Sequence, residues 1–391
     1  MCKNLAMRSS ANLDNKRVCH LTTVHPYNDN RIFHKQCVSL AKNGYEVFLL
    51  ATVSHRFVER DVTVIPLGVA KSRWHRFFVK MPILIFKAMQ LRAAVYHFHD
   101  PELLLAVPFL KLTGASVVYD IHEDYVTSIA QKPYVPKFLR NLLTGPFAIM
   151  EKAIGGRCKQ VIAEKYYKKR FPKAVQILNY PLVSQIKSDR IFSETKLESF
   201  DPVYSWFLYT GNVSISRGAL DQLQVLSTRS DTAIAYIGYC PKPIAQQIYK
   251  FVDDNGIDRE RIILIGVGKY VPRDLIHSYT NLSHWKAGLA LFPKTPHYEE
   301  KELTKFFEYM QASIPVLCTD FDVWKKLIET SNTGKAVSIE SDGNLVAALE
   351  FFMQESNELS EIRKAGPIAV TTHYNWGMEE LKLLSLYATL V

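Results

Sequence analysis

Short, almost uninterrupted apolar runs, separated by polar stretches of helix length, recur along the first half of this chain. They predict strands at residues 18–23, 46–51, 62–66, 95–99 and 116–120, with a short further element at 161–163. Between them, helical periodicity predicts helices at 31–43, 76–93, 101–113 and 136–154, the first closed by Gly44 at its C-terminus. Continuous apolar runs suit strands covered on both faces, and their alternation with helices predicts a parallel, doubly wound sheet. The pattern starts again at 206–211. Strands follow at 233–238, 262–265, 289–292, 316–318 and 336–337, alternating with helices near 217–228, 242–255, 272–280, 304–313 and 322–329. The tail reads as a helix with Met378, Leu381 and Leu384 three apart on one face.

At 391 residues the chain exceeds one ordinary domain. The expected fold class is α/β: two Rossmann-like domains facing across a cleft, with the C-terminal helix packing back toward the first. The expected boundaries are 1–183 for the first domain, 184–204 for a linker, 205–365 for the second domain and 366–391 for a crossover helix.

Net charge divides unevenly. Residues 1–200 hold 30 Lys and Arg against 15 Asp and Glu, whereas 201–391 hold 18 against 23. A basic first half suits an anionic partner. The run Lys71-Ser-Arg-Trp-His-Arg-Phe-Phe-Val-Lys80 interleaves cations with aromatics, which favours an anionic membrane surface, and no nucleic-acid-binding pattern accompanies it. The six cysteines form no CxxC pair and no disulfide spacing, consistent with reduced thiols. No signal peptide and no membrane-spanning run is apparent, so the expected location is cytoplasmic, peripheral on the inner face of the plasma membrane.

Candidate chemistry sits at strand ends. Glu300 and Glu308 flank a helix start near Thr304, where the N–H groups of Leu303 and Thr304 can face phosphate oxygens and Lys305 can neutralise them. A capped helix with exposed carboxylates is the plainer alternative. The loop Gly211-Asn-Val-Ser-Ile-Ser-Arg-Gly218 follows a strand and opens a helix. It reads either as a diphosphate cradle with Arg217 as donor or as a simple turn with a solvated arginine. His97-Phe-His99-Asp100-Pro-Glu102 and Asp120-Ile-His122-Glu123 end two strands at the edge where open α/β sheets bind ligands. His122 is the stronger candidate there, whereas His99 reads more simply as a helix cap. No local spacing marks a metal site, and Asp322 of the Asp320-Phe-Asp322 motif reads as an N-cap.

In order, the segments HPYNDNRIFHKQCVSLAKNGYEVFLLA (25–51), HFHDPELL (97–104), VVYDIHEDY (117–125), ILNYP (177–181), YTGNVSISRG (209–218), YEEKELTKFFEYMQASIPV (298–316) and YNW (374–376) resemble GT-B glycosyltransferases of the group 4 type that build bacterial capsule, O-antigen and exopolysaccharide. The resemblance implies a retaining, metal-independent transfer of a sugar from a UDP-, GDP- or dTDP-linked donor, with no further cofactor. The acceptor it implies is a lipid-linked saccharide. It implies Glu300 toward the donor sugar, Glu308 on the ribose, Arg217 and Lys305 at the diphosphate, and His122 lining the reacting centre on the acceptor side. Where many relatives carry arginine after the glycine of the second-domain loop, this chain has Asn212, which shifts phosphate neutralisation toward Arg217 and Lys305. The first loop lacks a Gly-Gly pair, and its Asp29 and Arg31 are expected on the substrate side with His99, Asp100 and Glu123. Rival readings are a sugar-nucleotide epimerase or hydrolase of the same fold, and a non-catalytic basic protein that binds membrane or nucleic acid.

Overall fold

A computed structural model describes residues 16–123, 137–183, 200–340 and 342–391. It divides the chain into two units, one up to Leu182 together with Trp376–Val391, the other Val183–Asn375. Most of the expected linker, and Tyr125, lie outside the described residues.

The strands of the first unit are β1 (Arg17–Leu21), β2 (Glu46–Ala51), β3 (Phe57–Glu59), β4 (Val62–Pro66), β5 (Val95–Phe98), β6 (Ser116–Ile121), β7 (Lys159–Ile162) and β8 (Val175–Gln176). Their order is β3-β4-β2-β1-β5-β6-β7-β8, parallel except for the β3–β4 pair. Side chains alternate between two cores. Cys19, Leu21, Phe48 and Leu50 pack on one face, and Val18, Val47 and Leu49 on the other. The second face is closed by the C-terminal helix Trp376–Ala388, whose Trp376, Leu383, Leu386 and Tyr387 are buried in it. Trp376 donates through Nε1 to Ser39 Oγ at 2.9 Å, and Glu379 accepts the Leu178 N–H at 2.8 Å.

The second unit continues with β9 (Ser205–Thr210), β10 (Thr232–Cys240), β11 (Ile262–Val267), β12 (Gly288–Ala290), β13 (Val316–Thr319) and β14 (Gly334–Val337). All pairs are parallel, in the order β11-β10-β9-β12-β13-β14. Both units are therefore parallel-sheet α/β domains, as the alternation of runs predicts. Strand order reverses between β1 and β5 in one sheet and between β9 and β12 in the other. A crevice opens at the carboxyl ends of such a pair, because the flanking helices leave on opposite faces.

Sequence periodicity misses the short edge strands β3 and β8 and the helices Pro296–Glu299, Asp342–Met353 and Asn357–Thr372. The expected helix at 217–228 resolves into short turns, Ile215–Arg217 and Asp221–Leu223, followed by Gln224–Thr228. Asp322 is the first residue of its helix, and Phe321 holds the cap position. No helix among the described residues is long and apolar enough to cross a membrane.

Candidate functional site

At the carboxyl ends of β9 and β12 a pocket of about 320 Å³ opens in the second unit. Its walls include Thr210 at the end of β9, Gly211 after it, Phe292 after β12, and the cap residue Leu303 with Thr304, Lys305 and Glu308 of the helix Thr304–Gln311. Tyr309, fully buried, accepts the Thr210 N–H at 3.0 Å and so ties the end of β9 to that helix. Gly218 bears φ +75°, and a Cβ there would stand 1.8 Å from the Leu291 carbonyl oxygen, so only glycine lets the Arg217 turn lie against β12. The helix N-terminus at Leu303 carries no side-chain cap, which leaves first-turn N–H groups to whatever enters.

Lys305 defines the electrostatics. Its side chain is enclosed, and its Nζ has no hydrogen-bond partner among the described residues. The ammonium stands 3.4 Å from the centroid of the Tyr209 ring and 5.2 Å from that of Phe292. Burial, followed by repulsion from the Arg217 guanidinium, holds its proton affinity well below that of an ordinary lysine. Glu308 opposes this only partly, because its Oε1 accepts Arg273 Nη2 at 3.2 Å. Arg217, Arg273, Lys301 and Lys305 face one carboxylate, Glu308, on the pocket wall. Such a surplus, beside an uncapped helix N-terminus, favours a polyanion.

The pocket gathers most of the expected donor-side residues: Gly211, Arg217, Leu303, Thr304, Lys305 and Glu308. Asn212 is exposed, with its carbonyl accepting the Tyr209 hydroxyl at 2.8 Å, and Glu300 is half-buried where the helix Pro296–Glu299 ends; neither lines the pocket. Arg273, His277, His297 and Tyr298 line it without having been anticipated. Arg273, Ile276, His277 and Thr280 stand three and four apart on the helix Arg273–Thr280, a one-faced spacing that could have pointed to the first two.

The first unit builds a different centre at the ends of β1, β5 and β6. Asp120, with no exposed surface, receives Arg31 Nε at 3.0 Å and Nη2 at 2.7 Å, Gln36 Nε2 at 2.7 Å and His122 Nε2 at 2.8 Å. His99 Nδ1 lies 3.2 Å away from the same carboxylate. Burial alone would raise the Asp120 carboxyl, but Arg31 and then His122 outweigh it and hold it well below the usual carboxylate range. His20, His97 and His99 are buried, and desolvation pushes each well below the ordinary imidazole value, so they are neutral. Asp100 is also buried and accepts the Thr22 hydroxyl at 3.0 Å and the Thr23 N–H at 2.5 Å.

Arg31 gives Nε and Nη2 to Asp120 while its Nη1 has no hydrogen-bond partner among the described residues, and Asp29 caps the following helix by accepting the N–H groups of Arg31 and Ile32 at 2.8 and 2.9 Å. His99 is packed among histidines and does not cap the helix at Pro101, while Glu123 is exposed. His20, Gln36 and Tyr387 join the centre unanticipated. His97, His99 and Asp120 bring ligand-type atoms within 4.8 Å of one another. Both oxygens of Asp120 are already engaged by Arg31, whose guanidinium would repel a cation. The cluster reads instead as a hydrogen-bond network.

No protein-family model and no curated protein matches the chain's sequence. Solved structures do match its fold. Sucrose-phosphate synthase of Thermosynechococcus elongatus superposes with a TM-score of 0.70 at 14% identity, over 96% of this chain and 99% of that one. WaaG, a glycosyltransferase involved in lipopolysaccharide biosynthesis, gives 0.64 at 16% identity over 94% and 98%. HepE of Anabaena, solved in complex with UDP and glucose, gives 0.65 at 9% over 96% and 100%. The fold is GT-B.

The neutral buried histidines set a pH dependence. Below about pH 6.5 the unfolded chain protonates His20, His97 and His99 while the native protein does not, so stability rises with pH. Urea unfolding should show stability falling between pH 7.5 and 5.5 by up to about 1.4 kcal/mol per pH unit for each histidine. His97→Phe should make the slope shallower. An unchanged midpoint over this range would contradict the buried, neutral assignment.

Proposed function

We propose that this chain is a glycosyltransferase that moves a sugar from a nucleotide-diphosphate sugar to a saccharide acceptor. The observation that carries the reading is Lys305, an enclosed ammonium facing Arg217 beside an uncapped helix N-terminus, all on one pocket wall. A diphosphate supplies the negative charge this arrangement lacks. UDP is the favoured nucleotide, since several structures of the same fold were solved with UDP or a UDP-sugar.

In this reading the diphosphate lies against the Gly211 loop, Arg217, Lys305 and the N–H groups of Leu303 and Thr304. Glu308 accepts the ribose hydroxyls once Arg273 yields, and Glu300 serves the sugar. The bond from the anomeric carbon to the diphosphate oxygen breaks as a bond to the acceptor hydroxyl forms on the same face. The hydroxyl proton passes to the departing diphosphate. Arg217 and Lys305 stabilise the charge that develops there, without need of a metal. His122 lines the acceptor side.

The acceptor we favour is a lipid-linked saccharide of cell-surface polysaccharide synthesis, reached at an anionic membrane surface on the cytoplasmic side. Trp74, Phe78, Pro82 and Phe86 recur every fourth position along the helical stretch 73–90, all exposed, and the Trp74 and Phe78 rings stack at 5.7 Å. Lys71 and Arg73 are exposed beside them. An apolar stripe flanked by cations matches the interfacial zone of an anionic bilayer, where rings enter the headgroup region and cations meet phosphate.

Incubation with UDP-sugars and a lipid-linked acceptor should yield an extended acceptor and free UDP. Lys305→Ala, Glu308→Ala and His122→Ala should each lower turnover by about 100-fold or more with the fold intact. Free sugar or an epimerised nucleotide sugar without acceptor would favour the hydrolase or epimerase instead. Wild type should co-float with phosphatidylglycerol vesicles, and the double variant Trp74→Ser, Phe78→Ser should not. Equal flotation of both would remove this stripe from membrane binding.

A further inference from the structure

The histidines under His122 form one continuous hydrogen-bonded chain whose proton positions the geometry determines. It runs from His97 Nδ1 to the Tyr387 hydroxyl at 2.8 Å and from that hydroxyl to His20 Nε2 at 3.3 Å. It continues from His20 Nδ1 to His99 Nε2 at 3.0 Å and from His99 Nδ1 to Asp120 at 3.2 Å. Each neutral imidazole carries one proton, so a choice at one end propagates to the other. Asp120 is an ionised acceptor already held by Arg31 and Gln36, and any nitrogen facing it at hydrogen-bond distance must bring a proton.

Two polarities can be drawn. With every proton directed toward Asp120, His97 donates to Tyr387, Tyr387 to His20, His20 to His99 and His99 to the carboxylate. The reverse would turn a lone pair of His99 onto the carboxylate at 3.2 Å, offset only by the shared His122 Nε2–H at 3.1 Å, and leave a 4.0 Å approach of His97 Nε2 in exchange. Electrostatics selects the first. It also leaves His97 Nε2 as a lone pair, in keeping with its lack of a partner among the described residues. Under either polarity His122 Nε2, at 2.8 Å from Asp120, is the protonated nitrogen.

We infer that Asp120 is the positioning residue of His122. Held in place by Arg31, Gln36 and the chain from Tyr387 through His20 and His99, it keeps His122 in the Nε2–H form with the Nδ1 lone pair turned to a non-reacting hydroxyl of the acceptor, which it orients while the reacting hydroxyl gives its proton to the diphosphate. His122 Nδ1 has no partner among the described residues, its side chain is 13% exposed, and the Tyr167 hydroxyl holds its backbone carbonyl at 3.1 Å. The role rests on the transferase reading above. The tautomer does not.

The test separates the two. In the full chain labelled with ring-15N histidine, long-range 1H–15N correlation at pH 7.5 identifies each neutral tautomer, and His122→Gln assigns the His122 signal. Wild type should show His122 as Nε2–H. Asp120→Asn, whose amide can donate, should shift it to Nδ1–H and lower kcat at least tenfold while KM for the nucleotide sugar moves less than twofold. If the uncompensated Arg31 prevents that variant from folding, the Arg31→Met, Asp120→Asn double variant removes both charges and gives the same readout. An Nδ1–H tautomer in wild type, or an Nε2–H tautomer that survives loss of the carboxylate, overturns the inference. A tautomer that shifts while kcat is unchanged upholds the positioning and refutes the acceptor-side role of His122.

Discussion

An amine enclosed by protein without a counterion binds its proton weakly, a penalty that folding alone does not relieve. Lys305 is in that position: two aromatic rings lie under it, a second cation faces it, and its one nearby carboxylate already holds Arg273. The surrounding fold supports this arrangement. Tyr309 joins the end of β9 to the helix that carries Lys305, and Gly218 lets the Arg217 turn press against β12. Two cations held close in a partly desolvated wall gain more from an incoming polyanion than either would in water, because screening is weak there.

The first unit resolves its buried charge in the opposite way. Asp120 has more donors than a carboxylate ordinarily collects, and its network is closed from within by Arg31, Gln36 and the histidines. The last link, Tyr387, comes from the helix that ends the chain. A side chain from the final turns of the sequence therefore sets the hydrogen bonding around residues near its beginning. One centre carries its own counter-charge, Arg31 on Asp120, and is preorganised; the other is left open to a ligand.

The strands were readable in the sequence because a parallel sheet covered on both faces requires continuous apolar runs, and β2 and β4 fall on the expected residues. The edge strands β3 and β8 span three and two residues, too few for periodicity to register. Lys305, Glu308 and Arg217 could be picked out because local spacing placed them at a helix start and a loop. Arg273 and His277 share one helix face, a spacing that marks them only weakly, and His297 has no such signal; all three reach the same pocket from other elements. His20 and His97 look like strand filler in a linear reading, and only the β1–β5 pairing sets them side by side. The same packing shows Asp29 capping a helix and leaves Glu300 off the pocket wall.

The most direct test of the account is calorimetric titration of UDP and of uridine into wild type and Lys305→Met. The long apolar methionine keeps the packing over Tyr209 and removes only the charge. The account predicts that UDP binds wild type and that the variant loses at least about tenfold in UDP affinity, or 1.4 kcal/mol. Uridine, which lacks the diphosphate, should bind both proteins alike. Equal UDP affinity for the two proteins would contradict the claim that the enclosed ammonium exists to receive a diphosphate.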